Sequence, residues 1–256
     1  MRHRTIERWS FYTGTWPLDP TRSTLVFIHG AGLSGRLWWN QVDALGNRAN
    51  TVSIDLPGHG DAPGPHLESI EDMARAIRDF LDDVRPPSPI PVGLSMGGAI
   101  VLRLLLDEPD RFQAAVLSNT GAKLGVMPAI MEVLKADFAR YLDLSLPFLV
   151  SKKTTPDQYR PAIEDAASQD PDVTYSDLAA CNVFDVRDSL GGIHAPVLVV
   201  TGSDDMMTPP KYGAFLAKAI PNARLTRISE AGHLSPVESP DEFNGALAEF
   251  LDEQGL

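Results

Sequence analysis

One repeated order limits what this chain can fold into. A short apolar run comes first, then a turn rich in glycine or proline, then a longer stretch of helical periodicity. Thr24-Leu25-Val26-Phe27-Ile28 is such a run and stops at His29-Gly30. Thr51-Val52-Ser53-Ile54-Asp55 repeats it and stops at Leu56-Pro57-Gly58-His59-Gly60. Ala114 to Ser118, Pro196 to Thr201 and Arg224 to Ile228 are three more. Continuously apolar runs of this length suit strands buried on both faces. From Ser69 to Val84, the residues Ile70, Met73, Ala74, Ile77, Phe80, Leu81 and Val84 share one helical face, and Ser69 with Asp72 supplies a capped start. Ala99 to Leu106, Pro210 to Ala219 and Asp241 to Leu251 also read as helices. The alternation predicts the α/β class, with a mostly parallel central sheet flanked by helices. The run before Gly93 contains Pro89 and Pro91, which cannot donate to a ladder, so that strand is expected to be short or irregular.

Between Gly121 and Asp188 the alternation breaks. Met127, Ile130, Met131, Leu134, Phe138, Tyr141 and Leu142 predict one or two apolar helices, and Pro156, Pro161 and Pro171 punctuate shorter ones. No strand signal is present there. The expected organisation is a core of residues 1–120 and 189–256 with a helical cap, or lid, over 121–188. Such a lid packs on the core and also walls a cleft.

Composition narrows the function classes. With 256 residues and 43% hydrophobic content, the chain can bury the core of one large α/β domain. Its formal net charge of -12 opposes nucleic acid and anionic membrane surfaces, and reads as solubility. Cys181 is its one cysteine, so an intramolecular disulfide and a CxxC metal site are excluded; it reads as a small buried apolar residue. The segment Met1 to Trp9 lacks the apolar run of a secretory leader, and no stretch reaches the roughly 20 apolar residues of a spanning helix. A cytoplasmic location is expected. No metal or organic cofactor is expected, and the chain is taken to act as a monomer or homodimer on a small molecule.

The chemistry concentrates in Gly93-Leu94-Ser95-Met96-Gly97, which sits between a candidate strand and an apolar helix. A serine hydroxyl is a weak nucleophile until a neighbouring base takes its proton. A strand-to-helix turn exposes that hydroxyl, its flanking glycines permit close approach, and the helix N-terminus favours developing negative charge. His233, in Ala231-Gly232-His233-Leu234 after the last strand, is the candidate base. The acid lies in Gly202-Ser203-Asp204-Asp205-Met206-Met207-Thr208-Pro209, at the carboxyl edge of the sheet. Asp205 is preferred there, and Asp204 stays a competitor. The backbone N–H groups of Met96 and Ala31 are the candidate oxyanion donors.

Taken together, these segments resemble the α/β-hydrolase-fold superfamily from about Thr24 onward. They comprise His29-Gly30-Ala31-Gly32, Asp55 to Gly60, Gly93 to Gly98, Gly202 to Pro209, and Ala231-Gly232-His233 followed by Glu238-Ser239-Pro240. The chain order Ser95, Asp205, His233 is the one that superfamily uses. Leu117 to Gly125 is similar to a segment of the enol-lactonases of β-ketoadipate breakdown. Ala180 to Val186 resembles a stretch of a broad group of bacterial esterases. Leu94 stands where many relatives have histidine, and Gly58-His59-Gly60-Asp61-Ala62 stands where relatives often read Gly-His-Gly-Arg-Ser.

The resemblance implies a serine hydrolase, with a carboxylesterase acting on a small to medium, mainly apolar ester as the leading reading. An enol-lactonase, or a carbon–carbon bond hydrolase of aromatic breakdown, is the close alternative. Those substrates are carboxylates, so Lys123, Lys152, Lys153 or Arg187 would have to reach the cleft. A non-catalytic ligand receptor is the remote alternative. Trp38, Leu124, Met127, Phe138 and Met206 are the candidate substrate-binding residues. His29 and His59 lack the helix-face spacing of a zinc motif and read as turn supports. Asp55 precedes Ser95, the wrong chain order for the acid. Phe184 and Asp185 read as structural hinges.

Overall fold

The computed structural model describes residues 1–256. Eight strands form one sheet: β1 (Arg2–Ile6), β2 (Trp9–Thr13), β3 (Thr24–Ile28), β4 (Asn50–Asp55), β5 (Pro89–Leu94), β6 (Ala115–Ser118), β7 (Val197–Gly202) and β8 (Ala223–Ile228). Their order across the sheet is β1-β2-β4-β3-β5-β6-β7-β8. The β1–β2 and β2–β4 pairs are antiparallel, and every other pair is parallel. The helices are α1 (Trp39–Ala44), α2 (Ile70–Val84), α3 (Met96–Asp107), α4 (Pro128–Ala136), α5 (Phe138–Leu149), α6 (Pro156–Ser168), α7 (Pro171–Val183), α8 (Pro210–Ala219), α9 (Ser235–Glu238) and α10 (Pro240–Gln254). No helix is long and apolar enough to cross a membrane.

Successive residues of a strand point to opposite faces, so each apolar run feeds two cores. Val26 and Ile28 join the cluster that also holds Ile77, Phe80, Ile100 and Leu104 of α2 and α3. Leu25 and Phe27 join the cluster that holds Trp38 and, from α10, Phe243, Leu247 and Phe250. Each fully buried side chain of this size stabilises the fold by about 1.5–3 kcal/mol through apolar burial. The Ser69 hydroxyl accepts from the Asp72 N–H and caps α2, matching the capped start seen in the sequence.

Two features differ from the sequence reading, and a third matches it. β1 and β2 form a hairpin before Thr24, and β2 is buried at all five positions. β5 is six residues long and pairs with β3 along its first five. On the β6 side its ladder runs only from Val92 to Leu94, so both prolines precede the paired stretch on that side. Between β6 and β7 the chain forms four helices, α4 to α7, and no strand. Pro156 and Pro171 open α6 and α7, where a missing N–H costs nothing, while Pro161 and Pro147 lie inside α6 and α5. The two ends of this insertion are tied by Val186 N–H to Ala122 O (2.8 Å) and by Leu124 N–H to Phe184 O. Asp185 there pairs with Lys123 and Arg187.

The site follows from the strand order. The chain leaves β3 toward β4 on one side and returns to β5 on the other. The switch point therefore lies between β3 and β5, where ligands of open α/β sheets bind. The loop after β3 begins at His29, and β5 ends beside Ser95.

Candidate active site

Ser95 has φ 54° and ψ -113°, a strained conformation for a residue with a side chain. The turn is held by Ser95 N–H to Ser118 O (3.0 Å), Ala99 N–H to Ser95 O (3.1 Å) and the Thr120 hydroxyl to Ser95 O (2.7 Å). Two glycines make it possible. A Cβ on Gly93 would lie 2.1 Å from Gly97 O, and one on Gly97 would lie 2.3 Å from Ile28 O. Any side chain at either position would push α3 off the sheet.

Past β7, the chain turns through Ser203 to Pro209. The buried Asp205 carboxylate receives Nδ1 of His233 at 3.0 Å. It also accepts from Asn119 Nδ2 (2.8 Å), the Met207 and Thr208 N–H groups (both 2.9 Å) and the Thr208 hydroxyl (2.8 Å). Burial alone would raise its pKa. The His233 charge and these hydrogen bonds outweigh burial and hold it below the ordinary carboxylate value. Asp204 faces elsewhere, accepting from the hydroxyls of Ser151 (2.6 Å) and Ser203 (3.0 Å).

His233 is held from both sides. Glu238, buried at the end of α9, accepts from Gly232 N–H (3.0 Å) and Leu234 N–H (2.9 Å). The His233 N–H donates to Leu149 O at the end of α5 (2.8 Å). Asn119 ties the parts together. It donates to Asp205 and to Gly232 O, and it accepts from Ser118 and Ser235. The sequence reading assigned no role to Asn119, Thr208 or Glu238. Their signal was position: each falls just beyond a strand end or just past the histidine.

Ser95, His233 and Ala31 line one cavity of about 70 Å³. Twelve of its eighteen lining residues are hydrophobic, among them Phe138, Leu142, Leu149, Ile163 and Leu178 of the insertion. No lysine or arginine lines it. The Ala31 N–H donates to no protein acceptor, and Met96 lies outside the cavity wall.

Of the five candidate substrate-binding residues, Phe138 lines the cavity. The other four do not. Trp38 is fully buried beneath the sheet, with its ring 4.9 Å from Phe27 and 5.9 Å from Phe243. Leu124 is buried in the core that holds α2 and α3. Met127 and Met206 are 63% and 58% exposed, and the neighbouring Met207 takes the wall position instead. The four proposed cations also stand outside. Lys123 and Arg187 border a separate surface groove of about 430 Å³, Lys153 pairs with Glu230, and Lys152 is exposed. Cys181 is buried, and burial pushes its thiol up, which disfavours the nucleophilic thiolate.

The two histidines near the loop after β3 make the contacts expected of turn supports. His29 Nε2 accepts from the Leu56 N–H (3.2 Å), which leaves Nδ1 to donate to Gly30 O (2.9 Å). Burial, then the neighbouring His59 charge, holds His29 well below the ordinary histidine value. His59 sits beside Asp177 at 2.8 Å. Asp55 accepts from Ser10, Gly35 N–H and Asp61 N–H, and burial raises its pKa.

The family model described as alpha/beta hydrolase fold matches residues 23–240. The chain belongs to the α/β-hydrolase fold family. It is 27% identical to the pimeloyl-acyl-carrier-protein methyl ester esterase of Nitrosomonas europaea, over 86% of this chain and 92% of that protein. It is 28% identical to 3-oxoadipate enol-lactonase 2 of Acinetobacter baylyi, over 88% and 87%. Among solved structures, a thermophilic esterase superposes with a TM-score of 0.84 at 30% identity, covering 99% of this chain and 98% of that one. In an α/β-hydrolase fold the elbow serine, a loop acid and a late histidine arise from separate strand ends. In this chain Ser95 follows β5, Asp205 follows β7 and His233 follows β8, and Asp205 and His233 are in contact.

Proposed function

We propose that this α/β hydrolase is a serine carboxylesterase for small, uncharged, largely apolar acyl esters. Ser95 Oγ attacks the ester carbonyl and its proton passes to Nε2 of His233. Asp205 holds the other nitrogen and balances the imidazolium charge. The Met96 and Ala31 N–H groups receive the oxyanion, each worth roughly 3 kcal/mol in the transition state. His233 then protonates the leaving alcohol, and water returns the acyl group from Ser95. The segment 121–188 serves as the lid.

The observation that carries this reading is the wall of the Ser95 cavity, mostly apolar and without a cation. A carboxylate substrate would be desolvated there with nothing to pair with it. The enol-lactonase reading draws support from the Acinetobacter baylyi relative and lacks that partner. A volume of about 70 Å³ also favours short acyl groups, well below the roughly 300–1,000 Å³ of drug-sized sites. The test is a series of p-nitrophenyl esters from acetate to decanoate beside neutral lactones and enol-lactone carboxylates. The expected kcat/KM peaks at a short acyl chain. A preference for the carboxylates would overturn the reading, and no turnover of any of them would favour a ligand receptor.

A further inference from the structure

The Ala31 N–H shares its peptide group with the Gly30 carbonyl, and the two point in opposite directions across a trans peptide. His29 Nδ1 holds that carbonyl at 2.9 Å. The next peptide presents the Gly32 N–H, which donates to Asp177 Oδ2 at 2.9 Å. The two peptides around the Ala31 Cα are therefore fixed by different parts of the fold. One anchor comes from the end of β3. The other comes from α7, across 145 residues of chain. We propose that Asp177, held by His59, is a positioning residue for the oxyanion donor, so that this half of the oxyanion hole is complete only when α7 is docked.

The contact is close. A Cβ on Gly32, where φ is +63°, would lie 2.8 Å from Thr174 Cγ2, one turn before Asp177 on the same helix. Asp177 is fully buried, and its Oδ1 has no partner. A buried carboxylate with half its acceptors unmet is costly. Its charge is met by His59 alone, at 2.8 Å. The His59 ring shows why it can serve. Nε2 faces the Asp177 carboxylate and Nδ1 faces Pro57 O at 3.2 Å. Both partners only accept, so both nitrogens carry protons and the ring is a cation. The groups around it are His29 at the end of β3, Asp55 at the end of β4, Asp165 on α6 and Asp177 on α7. Burial alone would lower the His59 pKa, but the Asp177 charge and hydrogen bond raise it above the ordinary value. Asp165 repeats the arrangement further along the loop, accepting from the Ser34 N–H (2.9 Å) and hydroxyl (2.7 Å).

The inference rests on Ser95 as nucleophile and the Ala31 N–H as donor. The test uses Asp177→Asn and the double variant Asp177→Asn/His59→Gln, which removes both charges and keeps the shape. The probe substrate is p-nitrophenyl butyrate, and rates are expressed per Ser95 titrated by a fluorophosphonate. A displaced donor is expected to lower kcat about 10- to 100-fold, less than outright loss of an oxyanion donor, with KM held within about threefold. The inhibition constant of a trifluoromethyl ketone, which mimics the tetrahedral intermediate, should rise by the same factor as kcat/KM falls. If Asp177→Asn does not fold, the double variant is read in the same way. Wild-type kcat per titrated site, or a fall in kcat with an unchanged inhibition constant, would overturn the positioning role. Failure of the wild-type protein to label at Ser95 would instead remove the reading on which it rests.

Discussion

Asp205 with His233, and Asp177 with His59, are the same two functional groups at nearly the same distance, 3.0 and 2.8 Å. Both pairs are buried, yet their surroundings differ in kind. Asp205 accepts four further hydrogen bonds, and His233 leaves Nε2 without a protein partner on a cavity wall. Asp177 accepts one further bond, and both nitrogens of His59 are engaged. The first pair can pass a proton at one nitrogen while the other stays fixed. The second cannot exchange a proton without breaking a contact, so it acts as a fixed charge that ties two parts of the chain. Chemistry and positioning are thus separated by hydrogen-bond count and access to the cavity.

Substitution at the first pair has the largest expected effect. Asp205→Asn should lower kcat about 10⁴-fold, the scale seen when a triad acid loses its charge. Asp204→Asn should stay within about threefold, because Asp204 contacts Ser151 and Ser203 and not His233. Steady-state hydrolysis of p-nitrophenyl butyrate separates them, and the reverse order would move the acid to Asp204. Asp177→Asn, with its expected 10- to 100-fold fall, comes next.

A pH titration of stability sharpens the difference. His59 has a raised pKa in the fold, so its contribution is fully present below the unfolded value and is lost as pH rises through the folded value. Asp205 has a lowered pKa, so its contribution is present above its unfolded value and is lost as pH falls through the folded one. Urea midpoints measured from about pH 2 to pH 10 should show an alkaline decline that shrinks in Asp177→Asn/His59→Gln, with the acid decline kept. An alkaline limb identical in both proteins would dissociate it from His59. The smallest effect concerns the cavity wall. Phe138→Ala should shift the preferred acyl chain longer, changing relative kcat/KM several-fold, whereas Trp38→Ala should cost about 3–5 kcal/mol of stability and leave the preference unchanged.

Much of this arrangement was legible in the sequence where one local pattern sufficed. The runs at Thr24 and Thr51 carry their strands in their own apolar character, and the elbow carries its glycines. The hairpin before Thr24 was missed because β1 is a mostly exposed edge strand with two arginines and a histidine. The β-branched and aromatic run Trp9–Thr13 was the readable signal. Trp38 was expected at the cleft and lies in the core instead, because periodicity does not tell which of two layers an aromatic ring enters. Asp177, Asp165 and Gln169 were invisible for a stronger reason. A polar residue on a helix reads as solvent-facing, and its burial is licensed only by partners such as Gly32, Ser34 and Gly60, more than 100 residues away.

The most direct test of the account is covalent labelling with a fluorophosphonate, followed by mass spectrometry of the modified peptide. One adduct per chain is expected on Ser95 in the wild-type protein, none in Ser95→Ala, with a fall in kcat of roughly 10⁶-fold in that variant. An unlabelled wild-type protein, or equal labelling of both, would contradict it.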